Sequence, residues 1–181
     1  MHTKLYEKIN YVSAFRENRQ ILANEVLLNP SLLEELIPLC FNISDSNSYK
    51  ACWVLELYCY EKLNTLDPHL DFFCSNIEKL KHESAIRPMA KVCQLLVTSH
   101  LKKTGIQLND FHIQKITETC FDWLITDTKV ASKCYSIRTL YLLGKQTDWI
   151  HSELKIILEK DYPAHSAAYK AVAREILKKI K

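Results

Sequence analysis

Ala51-Cys52-Trp53-Val54-Leu55-Glu56-Leu57-Tyr58-Cys59-Tyr60 carries one charge, at Glu56, in ten residues. Wound as a helix it is apolar on almost every face, and such a helix sits between layers rather than at a surface. In a stack of helix pairs that place belongs to the second helix of an internal pair. There it touches its own partner and both neighbours.

The residues just before this stretch recur along the chain. Ser48-Tyr49-Lys50 is a small residue, any residue, then a base. The same pattern stands at Ala14-Phe15-Arg16, Ala85-Ile86-Arg87, Ala131-Ser132-Lys133 and Ala168-Tyr169-Lys170, with the bases 34, 37, 46 and 37 residues apart. His82-Glu-Ser-Ala-Ile-Arg87 and His165-Ser-Ala-Ala-Tyr-Lys170 align without a gap. Cys40-Phe41 matches Cys120-Phe121, and Leu57-Tyr58 matches Leu140-Tyr141. A period of this length with two helices per unit marks an α-solenoid. The one long spacing leaves about nine extra residues, placed at 99–109 around Gly105.

Punctuation residues divide the repeat into helices. Asn29-Pro30 and Asp67-Pro68 start helices with Pro at the first position, where its missing N–H costs little. Asn109 or Asp110 caps another start, and Asp148 a further one. Gly105 and Gly144 follow apolar runs as residues that end helices. The reading is helices near 3–12, 15–28, 31–42, 47–62, 67–80, 84–103, 109–125, 128–144, 148–160 and 164–180. The expected fold is all-α: a right-handed α-solenoid of about five helix pairs, about ten helices, forming one domain over residues 1–181. Its end helices, with Arg16-Glu-Asn-Arg-Gln20 and Lys178-Lys179, are the more polar ones, as solenoid caps must be.

Composition narrows the function classes. Two glycines in 181 residues argue against hairpins and exclude P-loop and dinucleotide fingerprints, each of which needs clustered glycines. No apolar core of a signal peptide follows Met1, and no stretch reaches the ~18 uncharged apolar residues of a membrane span. The seven cysteines (Cys40, Cys52, Cys59, Cys74, Cys93, Cys120, Cys134) stand singly in apolar helical stretches with no CxxC. They read as buried thiols of a reduced, cytoplasmic protein. A net charge of +3 is too small to identify a nucleic-acid binder. The bases of the last helix, Lys170, Arg174, Lys178, Lys179 and Lys181, also suit the helix dipole.

The repeat resembles HEAT repeats, whose turn carries an Asp and whose second helix opens with a hydrophobic residue and a base. Asp45 to Lys50, Asp127 to Lys133 and Ile86-Arg87 carry that resemblance. It implies a HEAT- or armadillo-like solenoid over nearly the whole chain, and fits the fold more closely than any activity. The chain also looks like small bacterial HEAT-like proteins of Bacteroidetes type, some labelled adenylosuccinate lyase. The lyase signature loop, Gly-Ser-Ser-x-Met-Pro-x-Lys-x-Asn, has no counterpart around Met89, Gly105 or Gly144, so no catalytic residue carries over. A further architectural resemblance is to HEAT-like DNA glycosylases acting on alkylated bases, which use a basic concave face with tryptophans and an aspartate. Their Trp/Asp motif matches no position here.

Two constellations stand out. The ladder of Arg16, Lys50, Arg87, Lys133 and Lys170 has two readings. As a stripe on a concave face it suits a phosphate backbone or an acidic peptide; as a structural device, each base bonds to a carbonyl or carboxylate in a neighbouring turn. Glu56, alone in an apolar helix, is a general-acid candidate if its pKa is raised by burial, and a structural residue if a base or tyrosine pairs with it. The histidines (His2, His69, His82, His100, His112, His151, His165) show no metal-ligand spacing, and no metal or cofactor is expected. Trp53, Trp123 and Trp149 read as core, or as an aromatic surface for a peptide or flipped base. The leading expectation is a non-enzymatic module that binds a protein partner in its concave face. A nucleic-acid binder is the alternative and an uncharacterised enzyme the third. A monomer and no membrane association complete the expectation.

Overall fold

Backbone groups left over at helix ends decide where each element begins and stops. Thr3 opens the first helix, α1 (Lys4–Tyr11), by accepting the Tyr6 amide on its hydroxyl at 3.2 Å. There follow α2 (Arg16–Leu28), α3 (Ser31–Cys40), α4 (Ser48–Lys62), α5 (Leu70–Asn76), α6 (Glu83–Leu101), α7 (Asp110–Ile125), α8 (Val130–Leu143), α9 (Asp148–Asp161) and α10 (Ala167–Leu177). Short 3-10 turns at Leu63–His69, Ile77–Lys79 and Tyr162–Ala164 complete the set. This computed structural model describes residues 3–103 and 105–180. His2, Lys181 and Thr104 of the 99–109 segment lie outside the described residues. Among the described residues every regular element is helical.

The α-helices follow the expected order along the chain, and the differences lie at punctuation. Pro68 does not open α5; it sits inside the 3-10 turn Leu63–His69, and the α-helix begins two residues later. A tight 3-10 run tolerates a residue that has no N–H to give. Asp148 is the first residue of α9 rather than its cap, which is Thr147. Asn109 caps α7 as expected, in a reciprocal box: its side chain accepts the His112 amide at 2.9 Å, and its own amide donates to His112 Nδ1 at 3.3 Å. Gly105 takes the left-handed φ of 88°, a value that suits glycine. Gly144 stays right-handed at φ −62°. It is needed for space, because a Cβ there would lie 2.0 Å from His151 Cδ2.

The chain falls into two compact units, Met1–Val92 and Cys93–Lys181. In the first, α4 packs on α2 and α3, and α1 on α3. Ala51, Cys52, Val54, Leu55, Glu56, Leu57, Tyr58 and Cys59 of α4 are all buried. Nearly every face of that helix is covered, as its sequence requires. Leu36, Ile37, Leu66 and Phe73 complete the core around it. Each large side chain so buried stabilises the fold by about 1.5–3 kcal/mol. In the second unit α8 is the central helix, packed on α7, α9 and α10, with Ile137, Leu140, Leu154 and Leu158 inside. The extra residues between α6 and α7 are tied down there: Ile106 and Leu108 are buried, and the Leu108 amide donates to His100 Nδ1 at 3.1 Å. All seven cysteines are free thiols, six of them buried and Cys134 half-buried. No described helix is long and apolar enough to cross a membrane.

Candidate functional site

The second helices of the first unit bring bases and aromatic rings together. Arg87, in the first turns of α6, forks onto Glu56 of α4, with Nη1 to Oε1 at 3.0 Å and Nη2 to Oε2 at 2.6 Å. The Glu56 side chain is 5% exposed and that of Arg87 30%. A planar guanidinium meets a carboxylate through two parallel bonds, the pairing that best offsets burial of the charge. Glu56 therefore sits in an ion pair between consecutive second helices.

Around that pair lie three more groups. The Arg19 guanidinium stands 5.4 Å from the centre of the Trp53 ring, close enough for a cation–π attraction. The Trp53 indole donates to the Ser84 carbonyl at 2.9 Å, which locks the ring against the start of α6. Tyr49 meets Trp53 edge-on at 4.9 Å and stacks on His82 at 4.5 Å. Burial holds the Arg19 pKa below its ordinary value, as do the charges of Arg87 and Arg16, while Glu56 acts against them. Its Nε is buried with no hydrogen-bond partner among the described residues. Arg16 itself is exposed. Arg16 and Arg87 thus both act on Arg19 through their charges, and Arg87 engages the Glu56 carboxylate.

The other ladder bases lie elsewhere. Lys50 donates to the Asn10 carbonyl at 2.6 Å, and Lys133 to the Leu124 carbonyl at 2.7 Å. Asn10 and Leu124 fall in the last turns of α1 and α7, where carbonyls have no partner within their own helix. Each lysine thus closes a helix end, with the favourable sign for the dipole. Lys170 lies 5.9 Å from the Tyr162 ring, whose hydroxyl accepts from Arg174 Nη2 at 2.9 Å.

Of the sequence candidates, Arg87 and Glu56 come together and Arg16 adds its charge at Arg19, while Lys50 is turned to the end of α1. Lys133 and Lys170 belong to the other unit. Arg19 escaped the sequence reading. Its signal is its spacing three residues after Arg16, which puts both on one helical face. The histidines disperse. His112 serves a cap, His82 and His165 stack on Tyr49 and Tyr169, and His151 stacks on Tyr141. No group of three His, Cys, Asp or Glu side chains among the described residues is placed to hold a metal ion. Trp123 is buried, whereas Trp149 is exposed and stacks on Phe121.

A family model described as HEAT repeat domain matches residues 6–180 of the chain. No curated protein and no solved structure matches it.

Proposed function

Because the chain belongs to the HEAT repeat domain family, we propose that it is a non-enzymatic interaction module holding an acidic segment of a protein partner. The segment lies across the face of α2, α4 and the start of α6, in the solenoid's concave groove. The carrying observation is the gathering of guanidinium groups there: the charges of Arg87 and Arg16 both act on Arg19, with Glu56 acting against them, and Arg87 forks onto Glu56. Arginine suits this task because its fork matches a carboxylate and its plane lies on an aromatic ring such as Trp53. Free buried thiols support a reducing, cytoplasmic setting.

Nucleic acid is the competing ligand. A continuous phosphate-binding ladder asks for free lysine ammoniums, and Lys50 and Lys133 are spent on helix-end carbonyls. The test titrates a fluorescent glutamate-rich peptide, a DNA duplex and a DNA single strand against the protein from low to physiological salt. Peptide binding that weakens about tenfold (~1.4 kcal/mol) in Arg16→Glu/Arg19→Glu supports the proposal. Absence of peptide binding at low salt overturns it. Tighter binding of either DNA, with a steep salt slope, replaces it with the nucleic-acid reading.

A further inference from the structure

A second basic site lies in the C-terminal unit, apart from the arginine face and independent of the function proposed for it. It is a cavity of about 610 Å³ bounded by the end of α8, the outer face of α9 and the residues after α10. Lys145, Lys155 and Lys179 line it, against a single carboxylate, Asp148.

Three features set the cavity apart from an ordinary lysine-bearing surface. First, two ammonium groups converge on one ring: Lys145 Nζ and Lys179 Nζ lie 5.2 and 5.9 Å from the centre of Tyr141. Like charges gathered in this way repel unless something neutralises them. Second, the neutralisation within the protein is incomplete. Glu175 accepts from Lys179 at 2.7 Å but also from Arg138 at 3.1 Å, so one carboxylate serves two bases. Lys145 and Lys155 have no carboxylate partner among the described residues. Third, one wall is rigid. The His151 ring lies against Gly144, where any Cβ would collide with it. It stacks on Tyr141 with 17° between the planes and places Nε2 2.9 Å from the Tyr141 carbonyl. A carbonyl only accepts, so Nε2 carries the proton. Glycine at 144 and this hydrogen bond together hold an aromatic wall beside the lysines.

The geometry points to a binding site for a phosphate monoester carried on a small, partly apolar group. The phosphate oxygens take the free ammonium groups of Lys145 and Lys155, and the attached group lies against Tyr141, His151 and Ile156. A compact dianion brings a larger charge and more acceptor oxygens to several lysines than a single carboxylate does. The volume holds a molecule of that size but falls well short of a folded partner.

Phenyl phosphate is the probe, titrated by calorimetry and by chemical-shift changes at His151 and Tyr141, which line the cavity. The expected result is saturable binding at one site per chain, with a Kd of about 1 mM or tighter. Lys145→Ala and Lys155→Ala each weaken it about tenfold, and Lys145→Glu abolishes it. Both lysines are exposed, so the variants keep the wild-type melting temperature. Arg16→Glu/Arg19→Glu leaves this binding unchanged, which separates its fate from that of the peptide site. A phosphoserine peptide that binds tighter than phenyl phosphate assigns the site to phosphorylated protein; one that binds more weakly assigns it to a free phosphorylated compound. No saturation at ~10 mM, or equal binding by Lys145→Glu, overturns the proposal.

Discussion

Two ion pairs join consecutive second helices, one in each unit, and they are built in opposite ways. In the first unit the carboxylate stands on the earlier helix and the base on the later, Glu56 on α4 and Arg87 on α6. In the second, Arg138 on α8 reaches Glu175 on α10. The first pair is bidentate with a carboxylate 5% exposed; in the second, both side chains are more than 40% exposed. The same device therefore has two different weights. A buried carboxylate depends on its partner, because without it the charge stays out of water uncompensated. An exposed pair is surrounded by water that replaces either partner. What the second unit buries instead is Lys133, at the end of α7.

Removing the base from each unit tests this contrast. Arg87→Ala leaves Glu56 buried without its hydrogen-bonded partner, and costs about 3 kcal/mol, the low end for such breakage because Arg87 is part-exposed and the charge of Arg19 still acts on Glu56. Chemical denaturation reads it as a lower midpoint at unchanged slope. A loss under about 1 kcal/mol would mean that α6 shifts to let water reach Glu56, and the contrast between the two pairs would fall. Arg87→Lys recovers only part of the loss, since an ammonium cannot reproduce the fork.

A smaller effect is expected at Lys133. Lys133→Met keeps the length of the side chain but leaves the Leu124 carbonyl without its donor. The cost is about 1–2 kcal/mol, typical of an orphaned buried acceptor. The neighbouring carbonyls of α7 are served by other groups: Thr126 Oγ1 donates to Asp122 O and Thr128 Oγ1 to Trp123 O, both at 2.6 Å. Neither threonine takes over from the lysine. Differential scanning calorimetry of the variant would show a melting point lower by several degrees. An unchanged melting point would remove Lys133 as the buried polar anchor of this unit.

The contrast also separates what the sequence carries from what only the folded chain reveals. Periodic features were legible. The recurring small-x-base pattern marks the start of every second helix, and the uncharged run around Trp53 marks a helix covered on nearly all sides. Features that depend on which turns meet were not legible. Glu56 and Arg87 are 31 residues apart, and only the register of α4 against α6 makes them partners. Ladder positions alike in sequence end differently, Lys133 on a carbonyl of its own repeat and Lys50 on one from the repeat before. Gly144 ends α8 as its place after an apolar run suggests, yet its backbone is ordinary; the ring of His151, seven residues on, is what excludes a side chain. Local propensity has no access to such a contact. Pro68 illustrates the converse limit, since proline suits a 3-10 turn as well as the first position of an α-helix.

The exposed pair supplies the finest test. Lys179 and Arg138 hold the Glu175 carboxyl below its ordinary pKa, the Lys179 hydrogen bond being the larger cause. A carboxylate with a depressed folded pKa adds stability above its unfolded value and loses it as the pH falls through the folded one. Arg138→Ala and Glu175→Gln should each cost under about 1 kcal/mol at neutral pH. The gap from wild type should close on acidification through and below the usual carboxylate range, as the wild-type Glu175 itself takes up a proton. At ~1 M salt, where the screening length is about 3 Å, the gap should shrink as well. The Arg87→Ala deficit should survive that salt, because its carboxylate is shielded from the ions. If both deficits shrink in parallel, burial does not distinguish the pairs, and the two units are held by one kind of contact rather than two.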